Sequence, residues 1–268
     1  MPELPEVRTV AKVLKKLINK KIKNIDIIYP KIISKDSLNL DLLINKSLKD
    51  INTLGKYLLF DYEQYILISH LRMEGKYFIK TQDDSFEKHE HIIFNFEDNI
   101  SLRYHDTRRF GRMTLIKKVD LHKVNSLKKL APEPFTINKE DFYQRINKKD
   151  LSIKTLLLDQ TIINGLGNIY ANEVLYVSKI NPSRKGKDIT LKEASTIIDS
   201  AIDILNLAIK EGGTTIKSYT SSLGVIGNYQ QYLKVHKKEN EPCTFCHMPI
   251  KKIKINGRST YYCPKCQK

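Results

Sequence analysis

Two groups of residues have types and spacing that suit chemistry. All four cysteines of the chain lie near its end as two C-x-x-C pairs, Cys243/Cys246 and Cys263/Cys266, sixteen residues apart. Each pair offers two thiolates from one tight turn, and two such turns build the four-sulfur tetrahedron that zinc prefers. Disulfides are the alternative, but nothing in the sequence indicates secretion, so one structural zinc is the expectation. The second group is at the start, in Met1-Pro2-Glu3-Leu4-Pro5-Glu6. Once Met1 is removed, Pro2 carries a secondary amine. Terminal amines titrate near ~7.7–8.0, well below a lysine, so a useful fraction is unprotonated near neutrality. Such an amine attacking an aldehyde-level carbon gives an iminium, an electron sink for later eliminations. Glu3 can protonate an oxygen beside it, and Glu6 adds a second carboxylate within about one helical turn. An ordinary amino terminus competes with this reading. His89-Glu90-His91 has no third ligand nearby and is not read as a metal site.

The elements that must position these groups change along the chain. PELPEVRTVAKVLKKLINKK reads as an amphipathic helix, with Pro5 suited to the first turn and Glu6 to the positive end of the dipole. About seven short strands follow, KIKNIDIIY, KYLLFDY, YILISHL, KYFIK, HIIFNF, ISLRYHD and RMTLIKK, which predict a sandwich or barrel. APEPF, just past Lys129, marks a linker. Leu151 to Ser178 reads as two helices joined by the glycine-bearing link INGLGN. Thr190 and Glu193 form a capping box for a long helix that runs to about Glu211 and stops at Gly212-Gly213. Thr214 to Gly227 is Ser-, Thr- and Gly-rich and reads as a mobile loop. Asn256-Gly257 between KKIKI and RSTYY demands a two-residue hairpin turn, so the cysteines flank a β-hairpin.

With 46 Lys and Arg against 30 Asp and Glu, the 268-residue chain carries a formal charge of +16. That balance favours a polyanionic partner, although abundant Lys, Asn and Ile point in part to a biased genome. From Cys243 to Lys268 there are five lysines, one arginine and no acidic residue. No signal sequence and no apolar run long enough to span a bilayer is seen, so a cytoplasmic, reduced protein with no membrane partner is expected.

MPELPEV, GKYLLF, HLRMEGKY, YHDTRRFG, INGLGNIYANE, GGTT and CTFC…GRSTYYCPKC occur in that order from residue 2 to residue 267. Together they resemble the bacterial formamidopyrimidine-DNA glycosylases. The resemblance implies an α+β multidomain chain. Residues 1–129 would form a catalytic β-sandwich flanked by helices. Residues 130–268 would form a helical DNA-binding domain, with a helix–two-turn–helix and a zinc β-hairpin at 236–268. It implies excision of oxidised purines from double-stranded DNA in base excision repair, followed by abasic-site lyase chemistry, by a monomer used at the bacterial nucleoid. By the same resemblance Pro2 is the nucleophile, Glu3 the acid that opens the sugar and Glu6 its support. Lys56 contacts phosphate and assists elimination; it is expected to be exposed at the start of its strand. Met73, Arg108 and Phe110 fill the space of the removed nucleotide. His70, Asn168 and Arg258 grip phosphates, His89 and Arg109 add DNA contacts, Lys154 lies near the lesion, and the segment around 217–227 closes over the extruded base. A sister enzyme for oxidised pyrimidines and a catalytically dead lesion binder are the rivals. The first usually begins P-E-G-P, and intact Pro2, Glu3, Glu6 and Lys56 argue against the second.

Two positions depart from the pattern. His236 stands where a phosphate-contacting tyrosine is usual, so a weakened or pH-sensitive contact is expected. Asp150 replaces a lysine.

Overall fold

The computed structural model describes residues 1–214 and 227–268. The expected mobile loop therefore lies, apart from its first and last residues, outside the described residues. The chain divides into two compact units, Met1–Lys128 with Gly212–Asn228 and Lys129–Glu211 with Tyr229–Lys268. The return of Gly212–Asn228 to the first unit is a feature that a linear division near residue 129 does not contain.

The first unit begins with helix α1 (Leu4–Leu14), shorter than the expected segment because Lys15–Leu17 tightens into a 3-10 turn. Two four-stranded antiparallel sheets follow. One has the order β1 (Ile22–Ile27), β6 (Glu90–Phe96), β7 (Ile100–His105), β5 (Lys76–Thr81). The other has the order β2 (Asp50–Leu54), β3 (Tyr57–Asp61), β4 (Tyr65–His70), β8 (Arg112–Lys117). Residues of both sheets and of α1, among them Val10, Leu14, Phe60, Leu67, Phe94 and Leu102, share one core. The strand absent from the sequence reading is β2. Its sequence, DINTL, is half polar because it is an edge strand and buries only Ile51 fully. A short helix, α2 (Asn125–Lys128), closes this part of the chain.

The second unit is helical, with α3 (Lys139–Ile146), α4 (Ile153–Leu158), α5 (Asn168–Val177) and α6 (Leu191–Lys210). The capping box of α6 is formed as expected, with Glu193 N donating to Thr190 Oγ1 and Thr190 N donating to Glu193 Oε2. Its apolar stripe, including Ile197, Ala201, Leu205 and Ala208, is buried against the other helices. Each such Ile or Leu contributes about 1.5–3 kcal/mol. Strands β9 (Lys251–Ile255) and β10 (Arg258–Tyr262) pair around Asn256 and Gly257, whose positive φ values of 44° and 73° suit the primed turn of a hairpin.

Candidate nucleic-acid site and zinc centre

Pro2 is half-buried ahead of α1, and Glu3 and Glu6 are each 2% exposed. Glu6 is the third residue of the helix, so its side chain folds back over the helix start, where its Oε2 accepts from Glu3 N at 3.0 Å. Its other oxygen accepts from Thr214 N (2.8 Å) and Thr214 Oγ1 (3.1 Å). One carboxylate thus ties the start of α1 to Thr214. Gly213 makes this possible: its φ is +81°, and a Cβ there would stand 2.6 Å from Glu6 Oε1. In the sequence Gly212-Gly213 reads as a helix stop and as part of the GGTT motif, with no sign of what it packs against. The pairing of GGTT with Glu6 spans 208 residues and leaves no local signal.

Lys56 follows Gly55 (φ 55°) in the tight turn between β2 and β3. It is 5% exposed, which overturns the expectation of an exposed side chain. The turn places its ammonium close enough to His70 to help depress the imidazole. His70, at the end of β4, is 9% exposed, and its Nδ1 accepts from Arg72 N at 3.0 Å. Nδ1 being an acceptor, the proton sits on Nε2 and is available to donate. Burial first, then Arg72 and Lys56, push its pKa down to about 3, so it is a neutral donor across the physiological range.

Met73 is half-buried in the turn before β5, while Arg108, Arg109 and Phe110 are exposed in the link between β7 and β8. The Arg108 guanidinium lies 4.8 Å from the Phe110 ring centroid, and Arg109 lies 4.8 Å from that of Tyr29. His89, with φ 79°, packs against His91 and His105, and its Nδ1 is buried without a hydrogen-bond partner.

In the second unit, Asn168 is the first residue of α5. Its Nδ2 donates to Ser259 O at 3.1 Å, next to exposed Arg258. The positive end of a helix dipole at such a start suits an anion. Lys154 is completely buried and donates to Asn172 Oδ1 (2.5 Å), Thr260 Oγ1 (2.9 Å) and Ser259 O (3.1 Å). Its ammonium is turned into the protein, where it holds the hairpin that carries Arg258. Asn172 passes the network on, its Nδ2 meeting His236 Nδ1 at 2.8 Å. His236 is 7% exposed, and burial, Lys154 and Lys237 push its pKa down to about 4. A pH-sensitive phosphate contact is thus not what burial leaves at this position. Glu173 caps the same segment: its carboxylate accepts from the backbone N–H groups of Lys234, Val235 and His236. Asp150 is exposed and bound by Lys185 and Lys187.

The cysteine sulfurs all lie within 4.8 Å of one another. Cys243 to Cys266 is 3.9 Å and Cys246 to Cys263 is 3.4 Å. Zinc–sulfur bonds of about 2.3 Å in a tetrahedron require sulfurs about 3.8 Å apart, so this donor set fits one zinc. The two knuckles repeat each other, His247 N donating to Cys243 O and Gln267 N to Cys263 O. Tyr176 OH supports the cluster at 3.1 Å from Cys243 Sγ.

The chain matches known proteins over its whole length. Residues 1–113 match the formamidopyrimidine-DNA glycosylase N-terminal domain, 130–220 the H2TH domain of that enzyme, and 240–268 a zinc finger found in FPG and IleRS. The formamidopyrimidine-DNA glycosylase of Ligilactobacillus salivarius is 46% identical, over 100% of this chain and 99% of its own. That of Listeria monocytogenes is 41% identical over the whole of both chains. The Lactococcus lactis Fpg (MutM) in complex with DNA containing N7-benzyl-Fapy-dG is 39% identical, covers both chains fully and superposes with a TM-score of 0.93. The same enzyme with DNA containing an abasic site gives 0.93. Among the described residues, no helix is long and apolar enough to cross a membrane. The chain belongs to the formamidopyrimidine-DNA glycosylase family, with a four-cysteine zinc finger at its end.

Proposed function

We propose that this protein binds double-stranded DNA, excises oxidised purines and cleaves the resulting abasic site through Pro2. The observation that carries the assignment to these residues is the buried Glu6 carboxylate, which fixes the start of α1 and the 213–214 turn together beside Pro2. After loss of Met1, the neutral Pro2 amine attacks the sugar carbon that bears the damaged base. Glu3 delivers a proton to the ring oxygen, the base departs, and nitrogen holds the sugar as an iminium. The iminium makes the neighbouring sugar proton acidic. Its loss expels the 3′ phosphate, and a second elimination expels the 5′ phosphate, leaving a one-nucleotide gap with phosphate at both ends. Lys56 and the Nε2–H of His70 face the backbone phosphate, and Met73, Arg108 and Phe110 occupy the vacated stack. Asn168 and Arg258 hold phosphates from the second unit, with Lys154 acting through the hairpin; His89 and Arg109 add contacts to the duplex. Zinc bound to four thiolates has no open position and is structural.

The test is cleavage of duplexes carrying 8-oxoguanine opposite cytosine, or thymine glycol. Preferred cleavage of the 8-oxoguanine strand, with phosphate at both gap ends, supports the reading. Preference for thymine glycol assigns the chain to oxidised pyrimidines, and binding without cleavage makes it a lesion binder.

A further inference from the structure

Met73 and the Arg108–Phe110 group sit on two different loops, and the sheet register brings those loops side by side. Residues 71–75 carry the chain from β4 to β5, and residues 106–111 carry it from β7 to β8, so both cross from one sheet to the other. His70 pairs with Arg112 on one sheet, and Lys76 pairs with His105 on the other. The two crossovers therefore leave and enter the sheets at matched positions.

Between them lies a buried polar node. Asp106 and Tyr104 are both 0% exposed. Asp106 Oδ1 accepts from Arg108 N at 3.0 Å; its Oδ2 accepts from Gly111 N at 2.8 Å and from Tyr104 OH at 3.3 Å. One carboxylate thus closes the 106–111 loop around the residues meant for the DNA stack. The Asp106 backbone is fixed as well, its N–H donating to His89 O and its carbonyl lying 2.7 Å from His91 Nε2. The Tyr104 hydroxyl touches both crossovers at their glycines. A Cβ on Gly111 would stand 1.6 Å from it, and one on Gly75 would stand 2.3 Å from it. Thr107 Oγ1 also donates to Glu74, next to Met73. Outside the node, Arg112 Nη1 donates to Gly111 O at 2.7 Å.

We propose that Asp106, acting with Tyr104, is a positioning residue that locks the Met73 and Arg108–Phe110 crossovers into one rigid block, so that the three side chains enter the DNA stack together. The inference rests on the reading of Met73, Arg108 and Phe110 as the residues that occupy the vacated stack. Asp106 touches neither DNA nor the reacting atoms; it removes the freedom of the loop to place Phe110 without Arg108. Asp106→Asn keeps the side-chain shape but turns one acceptor into a donor that faces Gly111 N–H, Arg108 N–H or the tyrosine hydroxyl.

The experiment compares two substrates. One is 8-oxoguanine in a duplex, where the stack must be entered; the other is an abasic site in single-stranded DNA, where there is no partner stack to enter. For Asp106→Asn the expected result is a loss of about 10²-fold in duplex excision, the scale of a misplaced constellation, with single-strand cleavage unchanged. Tyr104→Phe, which keeps the ring, should show the same split to a smaller degree and serves if Asp106→Asn does not fold. Equal loss on both substrates in a folded variant overturns the proposal in favour of a general structural role. Unchanged duplex excision overturns it too, provided that the Met73→Ala/Phe110→Ala double variant loses that activity. If the double variant keeps full duplex activity, the stack-filling reading itself fails, and this inference with it.

Discussion

Glu6 in the first unit and Lys154 in the second are both charged groups taken almost wholly out of water, and each hydrogen-bonds to a part of the chain far from its own helix. Glu6 receives the Glu3 N–H and two donors from Thr214. Lys154 gives to Asn172, Ser259 and Thr260. The partners differ in what else holds them. The zinc cluster and the β9–β10 ladder already staple the hairpin that Lys154 touches. The segment that Glu6 touches leaves α6 through two glycines with positive φ. The same device therefore braces a metal-stapled hairpin in one unit and sets the geometry of the proposed reactive terminus in the other. A change at Glu6 should strike chemistry, and a change at Lys154 should strike stability and grip on DNA.

The largest effect is expected from Glu6→Gln. It removes the charge that assists three hydrogen bonds and leaves one donor facing another donor. Excision should fall by about 10²-fold or more, since losing even ~3 kcal/mol of geometry at the transition state has that consequence. Zinc content, read by metal analysis, should not change. Equal activity in Glu6→Gln would break the comparison on the chemical side. Lys154→Met should come next, taking the ammonium donor from buried Asn172 Oδ1 and Thr260 Oγ1 and costing about 1–3 kcal/mol in denaturant unfolding, with weaker DNA binding as the hairpin loosens. If unfolding is unaffected, the ammonium is not a brace.

Arg258→Ala should have a smaller consequence. Affinity for duplex DNA should drop, and the log-affinity against log-salt plot should become shallower by about 0.9, the value for one phosphate that the protein no longer neutralises. Zinc should stay bound; its loss with unchanged affinity would reverse the roles given to the hairpin and its arginine. The smallest effect is in pH dependence. His70 and His236 have folded pKa values near 3 and 4, below the usual 6.5. The unfolded chain therefore takes up protons at these sites first. Their contribution to stability is fully present above pH 6.5 and is lost as pH falls toward 4 and then 3. His236→Asn should flatten part of that acid limb in a thermal melt series, while DNA binding between pH 6.5 and 8 keeps its profile.

Much of this arrangement is legible in the sequence where the signal is local. The cysteine spacing, the Asn256-Gly257 turn and the Thr190/Glu193 box each act over a few residues, and the structure has them as read. Non-local pairing is not legible. DINTL lacks the alternation of a strand because only one of its residues reaches the core. Lys56 reads as a solvated lysine, and nothing local marks Lys154 as buried, because a lysine's burial depends on acceptors supplied by other segments; for Lys154 these lie 18 and more than 100 residues away. Asp106 carries no signal of its own, since its partners are mainly backbone N–H groups and a tyrosine hydroxyl. The resemblance assigns DNA-facing roles by motif, but the register of β4, β5, β7 and β8 explains why the loops that carry Met73 and Phe110 are neighbours.

The central claim is that the amine of Pro2 forms the covalent bond to the sugar, and borohydride trapping tests it most directly. Protein verified to begin at Pro2 should be captured on an 8-oxoguanine duplex as a stable complex of one chain and one strand. The same protein with a residual amino-terminal extension should bind the duplex and yield no complex. Trapping that survives the extension would contradict the account, because the nucleophile would then lie elsewhere in the chain.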